Sequence, residues 1–156
     1  MTDTISPLTW ARVPRSLRTL ARWITIAQAA GYGVSIAFAR EMAARLRNAN
    51  GVDTHELLLS AHSHLLGMTA LFALSGLCYA LCSRPKEPLK TIAIAAPFAA
   101  ILVAFTAVWL MRFSASFSGL LLAAHGVMAV VFYYQIIVTL RELRAVNKSV
   151  VPASGG

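Results

Sequence analysis

Four histidines are the residues of this sequence best suited to chemistry, because an imidazole can bind a metal or exchange a proton near neutral pH. They are His55, His62, His64 and His125, and all lie at or within long apolar segments. An ionisable side chain is expensive inside a membrane and marks a functional site by default. The chemistry open to these histidines depends on whether two of them reach the same point.

Three of the histidines fall at matching depths on two different helices. If one helix begins near Thr54, His62 and His64 lie about 12–15 Å from its start, and His125 lies about as far into a helix beginning near Ser116. Helices two and four of an up-down bundle are diagonal partners whose side chains converge on the core. Two imidazoles facing each other there can ligate one haem iron, so we expect haem b between these helices.

His62 and His64 cannot both serve, because they point about 160° apart on a helix. We favour His64, whose face carries Gly67 and leaves room for a flat porphyrin, and keep His62 as the alternative ligand. Methionines on the faces of the two ligands are expected to pack against the ring or to act as ligands: Met68 and Met128.

Two other interpretations of the histidines remain open. Membrane histidines often only hydrogen-bond a neighbouring helix, and the chain would then be a non-redox accessory subunit of a membrane complex. Alternatively, His55, Glu56 and His62 form a copper or zinc site at the outer face, since imidazole and carboxylate suit both metals. The sequence contains no nucleophile–base pair, phosphate loop or CxxC motif, so catalysis by this chain alone is not expected.

The composition of the chain indicates the class of protein in which these histidines lie. The chain has 156 residues, of which 58% are hydrophobic and 13% charged, whereas soluble domains carry about 25% charged residues. The formal charge of +8 sits beside the apolar segments. Membrane topology explains that placement, so we expect lipid and not nucleic acid as a partner.

The pattern of apolar segments predicts an all-α integral membrane protein, an up-down bundle of four transmembrane helices. The helices are expected over residues 17–46, 54–82, 90–111 and 116–143, within a bundle spanning 17–145. A cytoplasmic segment, 1–16, precedes the bundle, and a disordered tail, 146–156, follows it. Pro97 is expected to bend the third helix, and Cys78 and Cys82 are expected to be free packing thiols.

Basic residues set the orientation of such a bundle, because they accumulate on the cytoplasmic side. Four lysines and arginines fall on one side, namely Arg40, Arg45, Arg47 and Arg112. Ten fall on the other: Arg12, Arg15, Arg18, Arg22, Arg84, Lys86, Lys90, Arg141, Arg144 and Lys148. Both termini are therefore expected inside, in a bacterial inner membrane.

The run Ala61–Leu77, AHSHLLGMTALFALSGL, resembles the His-x-His-x-x-x-Gly helices of the haem-copper oxidase and nitric oxide reductase superfamily. The resemblance covers His62, His64 and Gly67, and it implies that a histidine of this helix ligates a haem. Those enzymes have many more helices and a second histidine cluster for copper, which this chain lacks. The resemblance therefore implies haem binding in a small unit and does not imply oxygen or nitric oxide reduction.

Together these observations predict a small b-type cytochrome-like membrane protein with its haem nearer the periplasmic face. Its expected function is electron transfer, alone or as a subunit of a larger redox complex. Its expected partners are a quinone, a periplasmic cytochrome or a neighbouring membrane redox subunit.

Overall fold

The computed structural model describes residues 8–48, 54–111 and 113–150, with side chains at 8–33, 36, 62–111, 113–114 and 116–149. Within them, four helices follow one another, and no strand is present. The helices are α1 (Arg15–Asn48), α2 (Thr54–Ala80), α3 (Glu87–Leu110) and α4 (Ser118–Val150). Short 3-10 turns cover Trp10–Arg12 and Ala115–Phe117. The described chain is therefore all-α, as its sequence predicts.

Helix bounds differ from the prediction most at α4, which continues to Val150 and not only to residue 143. The expected disordered tail from 146 is thus wrong over its first residues, and residues 151–156 lie outside the described chain. The extension has a packing reason, since Leu143 is 1% exposed and Val146 lies against the same apolar cluster. At the start of α3, Pro88 occupies the first turn, where its missing amide hydrogen removes no helical bond.

One end of the molecule brings together the starts of α1 and α3 and the ends of α2 and α4. The cluster there comprises Trp10, Ala21, Cys78, Tyr79, Cys82, Ala93 and Leu143. Sequential helices therefore alternate in direction. We call this the termini end, and His64 and His125 lie towards the opposite end.

The middle of the bundle is held by aromatic packing and by small residues. Tyr32 of α1 packs its ring 4.7 Å from that of Phe132 in α4 and 5.8 Å from that of Phe72 in α2. α1 and α3 each pack against α2 and α4, which also contact each other. Small residues of α3 let its backbone approach the neighbouring helices closely: Ala93, Ala100, Ala104 and Ala107.

Three helices are long and apolar enough to cross a membrane within the described residues. The spans are His62–Ala80, Glu87–Leu110 and Ser118–Ser149. They support a multi-pass membrane protein, as predicted. Much of α1 lies outside the described side chains, so a fourth span and the orientation stay predictions.

Pro97 lies inside α3, where it supplies no amide hydrogen to the carbonyl of Ala93. Gln135 of α4, only 1% exposed, donates its Nε2 to that carbonyl at 2.7 Å. Ser75 of α2 in turn donates its hydroxyl to Gln135 Oε1 at 2.9 Å. Neighbouring helices thus satisfy the backbone group that the proline leaves free, which allows α3 to continue as one helix. The bend expected at Pro97 stays a prediction.

Candidate functional site

His64 of α2 and His125 of α4 lie on two helices that contact each other. Both side chains are half-buried, and the two rings are near each other. The common membrane depth that the sequence predicts for these two residues, and their role as ligands, stay predictions. α2 and α4 are diagonal helices that contact each other, and α1 and α3 each pack against both.

His125 is oriented by its own helix. Its Nδ1 lies 2.9 Å from the carbonyl oxygen of Leu121, one turn earlier. A carbonyl oxygen only accepts, so Nδ1 carries the hydrogen and the lone pair of the neutral ring lies on Nε2. Metal-binding histidines commonly have this arrangement, in which a hydrogen bond from one nitrogen fixes the ring and its tautomer while the other binds the metal.

His62 points away from the bundle and is exposed. The residues on the same helical face as His62 are exposed as well, with Leu66 59% accessible and Thr69 exposed. The face of His64 turns inward, since Met68 one turn later is 9% exposed. His62 and His64 thus lie on separate faces of α2, the first exposed and the second half-buried.

Below the histidine pair, the core is apolar. Met68 and Met128 are buried there, with Met128 only 1% exposed, and Leu121 and Ala124 join them in the same cluster. Gly67 does not face this core but lies exposed on the surface of α2. A Cβ added at Gly67, or at Gly126 beside His125, would meet no atom within 4 Å. The glycines therefore border open space at the edge of the pair.

A bis-imidazole haem needs two imidazole nitrogens and apolar surroundings. His64 and His125 carry imidazole nitrogens, and Met68 and Met128 are buried in the core cluster. A structural zinc site asks for four protein ligands. Within the described side chains, no group of three or more His, Cys, Asp or Glu residues could hold a metal ion.

The alternative outer-face metal site lies largely outside the described side chains. His55 and Glu56 belong to the first turns of α2, where only the backbone is described. His62 is described and is exposed. That site stays a prediction.

Several buried polar residues at the termini end were missed by reasoning from the sequence. Glu142, 4% exposed, accepts hydrogen bonds from the amide of Ser83 at 2.5 Å and from its hydroxyl at 2.7 Å. Trp10 is 3% exposed and donates its indole nitrogen to the carbonyl of Cys78 at 3.1 Å. One feature of the sequence could have indicated such a contact, namely the position of Glu142 within an apolar helix.

Residues 49–149 match a family model described as a transmembrane helical domain. The match covers well over half of the 156-residue chain and includes both histidines of the pair. The haem-copper oxidase superfamily that the run Ala61–Leu77 resembles is not the family that matches. No curated protein and no solved structure matches the chain.

Proposed function

The chain belongs to the Aq_1264_TM family of transmembrane helical domains, and we propose from its histidines that it binds haem b and transfers electrons. The iron would be held between α2 and α4 by His64 and His125. The protein would act as a small b-type cytochrome, alone or as a subunit of a larger membrane redox complex.

One observation carries the proposal, namely that the Nδ1 of His125 is hydrogen-bonded to the Leu121 carbonyl, on a helix that contacts the helix of His64. That bond leaves Nε2 as the ligand atom. A histidine that served only to join helices would use its ring nitrogens on a neighbouring helix, whereas the Nδ1 hydrogen of His125 goes to its own helix. The arrangement therefore favours ligation over a purely structural role.

The chain's own residues would bind and shield the group, and bound haem would supply one-electron transfer. Met68 and Met128 would exclude water from the inner side of the ring, because both are buried in the core cluster. Their burial lowers the local polarity, which together with the axial ligands tunes a haem potential. Neither methionine is needed as a ligand when two imidazoles are present.

We also propose that α1 is the fourth span and that both termini lie in the cytoplasm of a bacterium. Tyr32 of α1 is fully buried against Phe72 and Phe132, which are interior to two apolar spans. The ten-to-four distribution of basic residues supports the orientation. The histidine pair would then lie in the outer half of the membrane, in reach of a periplasmic cytochrome, a quinone or a neighbouring redox subunit.

The test is an absorption spectrum of the detergent-purified chain, expressed with adequate haem supply. A Soret band is expected in the wild type, and His64→Ala and His125→Ala should each abolish or shift it. His62→Ala is the matched control, because His62 is two residues from His64 but exposed. An unchanged spectrum in both ligand variants, or no Soret band in the wild type, would refute the proposal.

The other outcomes identify the alternatives. Stoichiometric copper or zinc without a Soret band would favour the outer-face site of His55, Glu56 and His62. Neither haem nor metal would favour a non-redox accessory subunit.

A further inference from the structure

A second feature lies at the termini end, away from the histidine pair. It is a partly open cavity of about 400 Å³ between the connection before α3 and the last turns of α4. Its lining combines basic and apolar side chains: Arg84, Pro85, Lys86, Leu89, Tyr134, Val138 and Arg141. We call it the basic cavity.

Three positive charges line this cavity without a carboxylate partner. Among the described residues, Arg84, Lys86 and Arg141 form no ion pair through their side chains. Of the carboxylates close to them in sequence, Glu87 pairs with Lys90 at 2.8 Å, and buried Glu142 accepts from Ser83 and from the backbone amide of Arg84. The cavity is therefore complementary to an anion.

The position of the cavity relative to the bilayer follows from the chain path. Residues 81–86 connect two spans, so they lie at the membrane boundary. Glu142 ties this connection to α4 through Ser83 and Arg84, which places Arg141 at the same boundary. α4 is long enough for this, since its 33 residues extend about 50 Å, well beyond a hydrocarbon core of about 30 Å.

The apolar part of the lining continues towards the lipid-facing surface. Leu89 is 47% exposed and Tyr134 is 37% exposed, while Val138 lies one turn beyond Tyr134 on α4. A ligand in this cavity thus meets cations on its aqueous side and hydrocarbon on its membrane side. An anionic phospholipid matches this arrangement, because its negative head group faces the water and its acyl chains lie in the hydrocarbon.

We propose that the basic cavity binds one anionic phospholipid of the leaflet facing the termini end. Its phosphate lies among Arg84, Lys86 and Arg141, and an acyl chain runs along Leu89 and Val138. Basic pockets between transmembrane helices are known to hold anionic head groups. This binding is independent of the haem proposal, because its residues lie at the other end of the bundle.

The test counts lipids retained by the purified full-length protein in native mass spectrometry. The probes are phosphatidylglycerol and phosphatidylcholine with identical acyl chains. Phosphatidylglycerol should be retained at one site, and Arg141→Gln should weaken its binding about fivefold, as expected for loss of one basic residue near an anionic surface. Arg144→Gln is the matched control, since Arg144 is exposed on the same helix but does not line the cavity.

Lys86→Gln, in the connection, provides a second variant should Arg141→Gln fail to fold. The proposal is overturned by equal retention of both lipids, or by equal loss in the Arg144 control. It is also overturned if inorganic phosphate alone displaces the lipid at equal concentration, because the apolar wall would then contribute nothing.

Discussion

Replacing Gln135 with methionine tests whether this side chain repairs the break that Pro97 makes in α3. Methionine keeps the length and volume of the buried side chain but removes its donor and its acceptor. Two bonds between helices are lost, one to the Ala93 carbonyl at 2.7 Å and one from Ser75 at 2.9 Å. Ser75 keeps a second acceptor in the Phe72 carbonyl at 3.2 Å, so the Ala93 carbonyl alone is left unpaired.

The expected loss follows from these contacts. A hydrogen bond between membrane helices contributes about 0.6 kcal/mol on average, and an unpaired buried carbonyl costs about 1–3 kcal/mol. Gln135→Met should therefore lower the free energy of unfolding by about 2 kcal/mol. For a chain of this length, that corresponds to a fall in Tm of roughly 4–8 °C.

A double-mutant cycle with Pro97→Ala separates this role from ordinary packing. Alanine restores the amide hydrogen that the Ala93 carbonyl lacks, so Gln135→Met should cost about 1 kcal/mol less in that background. The assay is thermal or denaturant unfolding of the detergent-solubilised protein followed by circular dichroism. Thr106→Val is the control, because its exposed hydroxyl bonds only the Leu102 carbonyl of its own helix. Additive losses, within about 0.3 kcal/mol, would refute the repair.

Three further predictions concern the termini end. Glu142→Gln should lower Tm by about 2–8 °C, because its amide group cannot accept from both Ser83 and Arg84 as the carboxylate does; an unchanged Tm contradicts this. Burial raises the pKa of the Cys82 thiol to about 11. Alkylation of the folded protein should therefore be slow at pH 8 and become faster towards pH 11, because the thiolate is the reactive form. An alkylation rate that has already reached its plateau by pH 9.5 would contradict a buried thiol. Alkaline phosphatase fused after residue 150 should be inactive, and an active fusion would place the C-terminus outside.

Local patterns in the sequence were sufficient to predict the helices and to separate the helical faces of His62 and His64. Apolar runs and turn residues predicted the start of α2 at Thr54, where the structure has it. Helical periodicity also separated the faces of His62 and His64, and the structure has the first exposed and the second half-buried. Both results depend on spacing along one helix, which a single sequence displays directly.

The polar contacts between helices could not be predicted in the same way. Gln135 pairs with a carbonyl 42 residues away, and Glu142 pairs with a serine 59 residues away. Such pairs depend on the rotation and height of each helix relative to its neighbours. Residue types alone do not specify these, since several rotations bury an equal number of apolar side chains.

The placement of these contacts bears on how variants of the histidine pair behave. Several bonds that join helices lie in the middle of the bundle or at the termini end, and they remain when His64 or His125 is replaced. A bound haem adds its binding free energy to a bundle that is already connected. We therefore expect the ligand variants to lose the Soret band and some thermal stability but to stay folded, so the spectrum reports ligation and not unfolding. The bonds in question are Gln28 to Leu71, Tyr133 to Ala29, Gln135 to Ala93 and Ser75, Glu142 to Ser83, and Trp10 to Cys78.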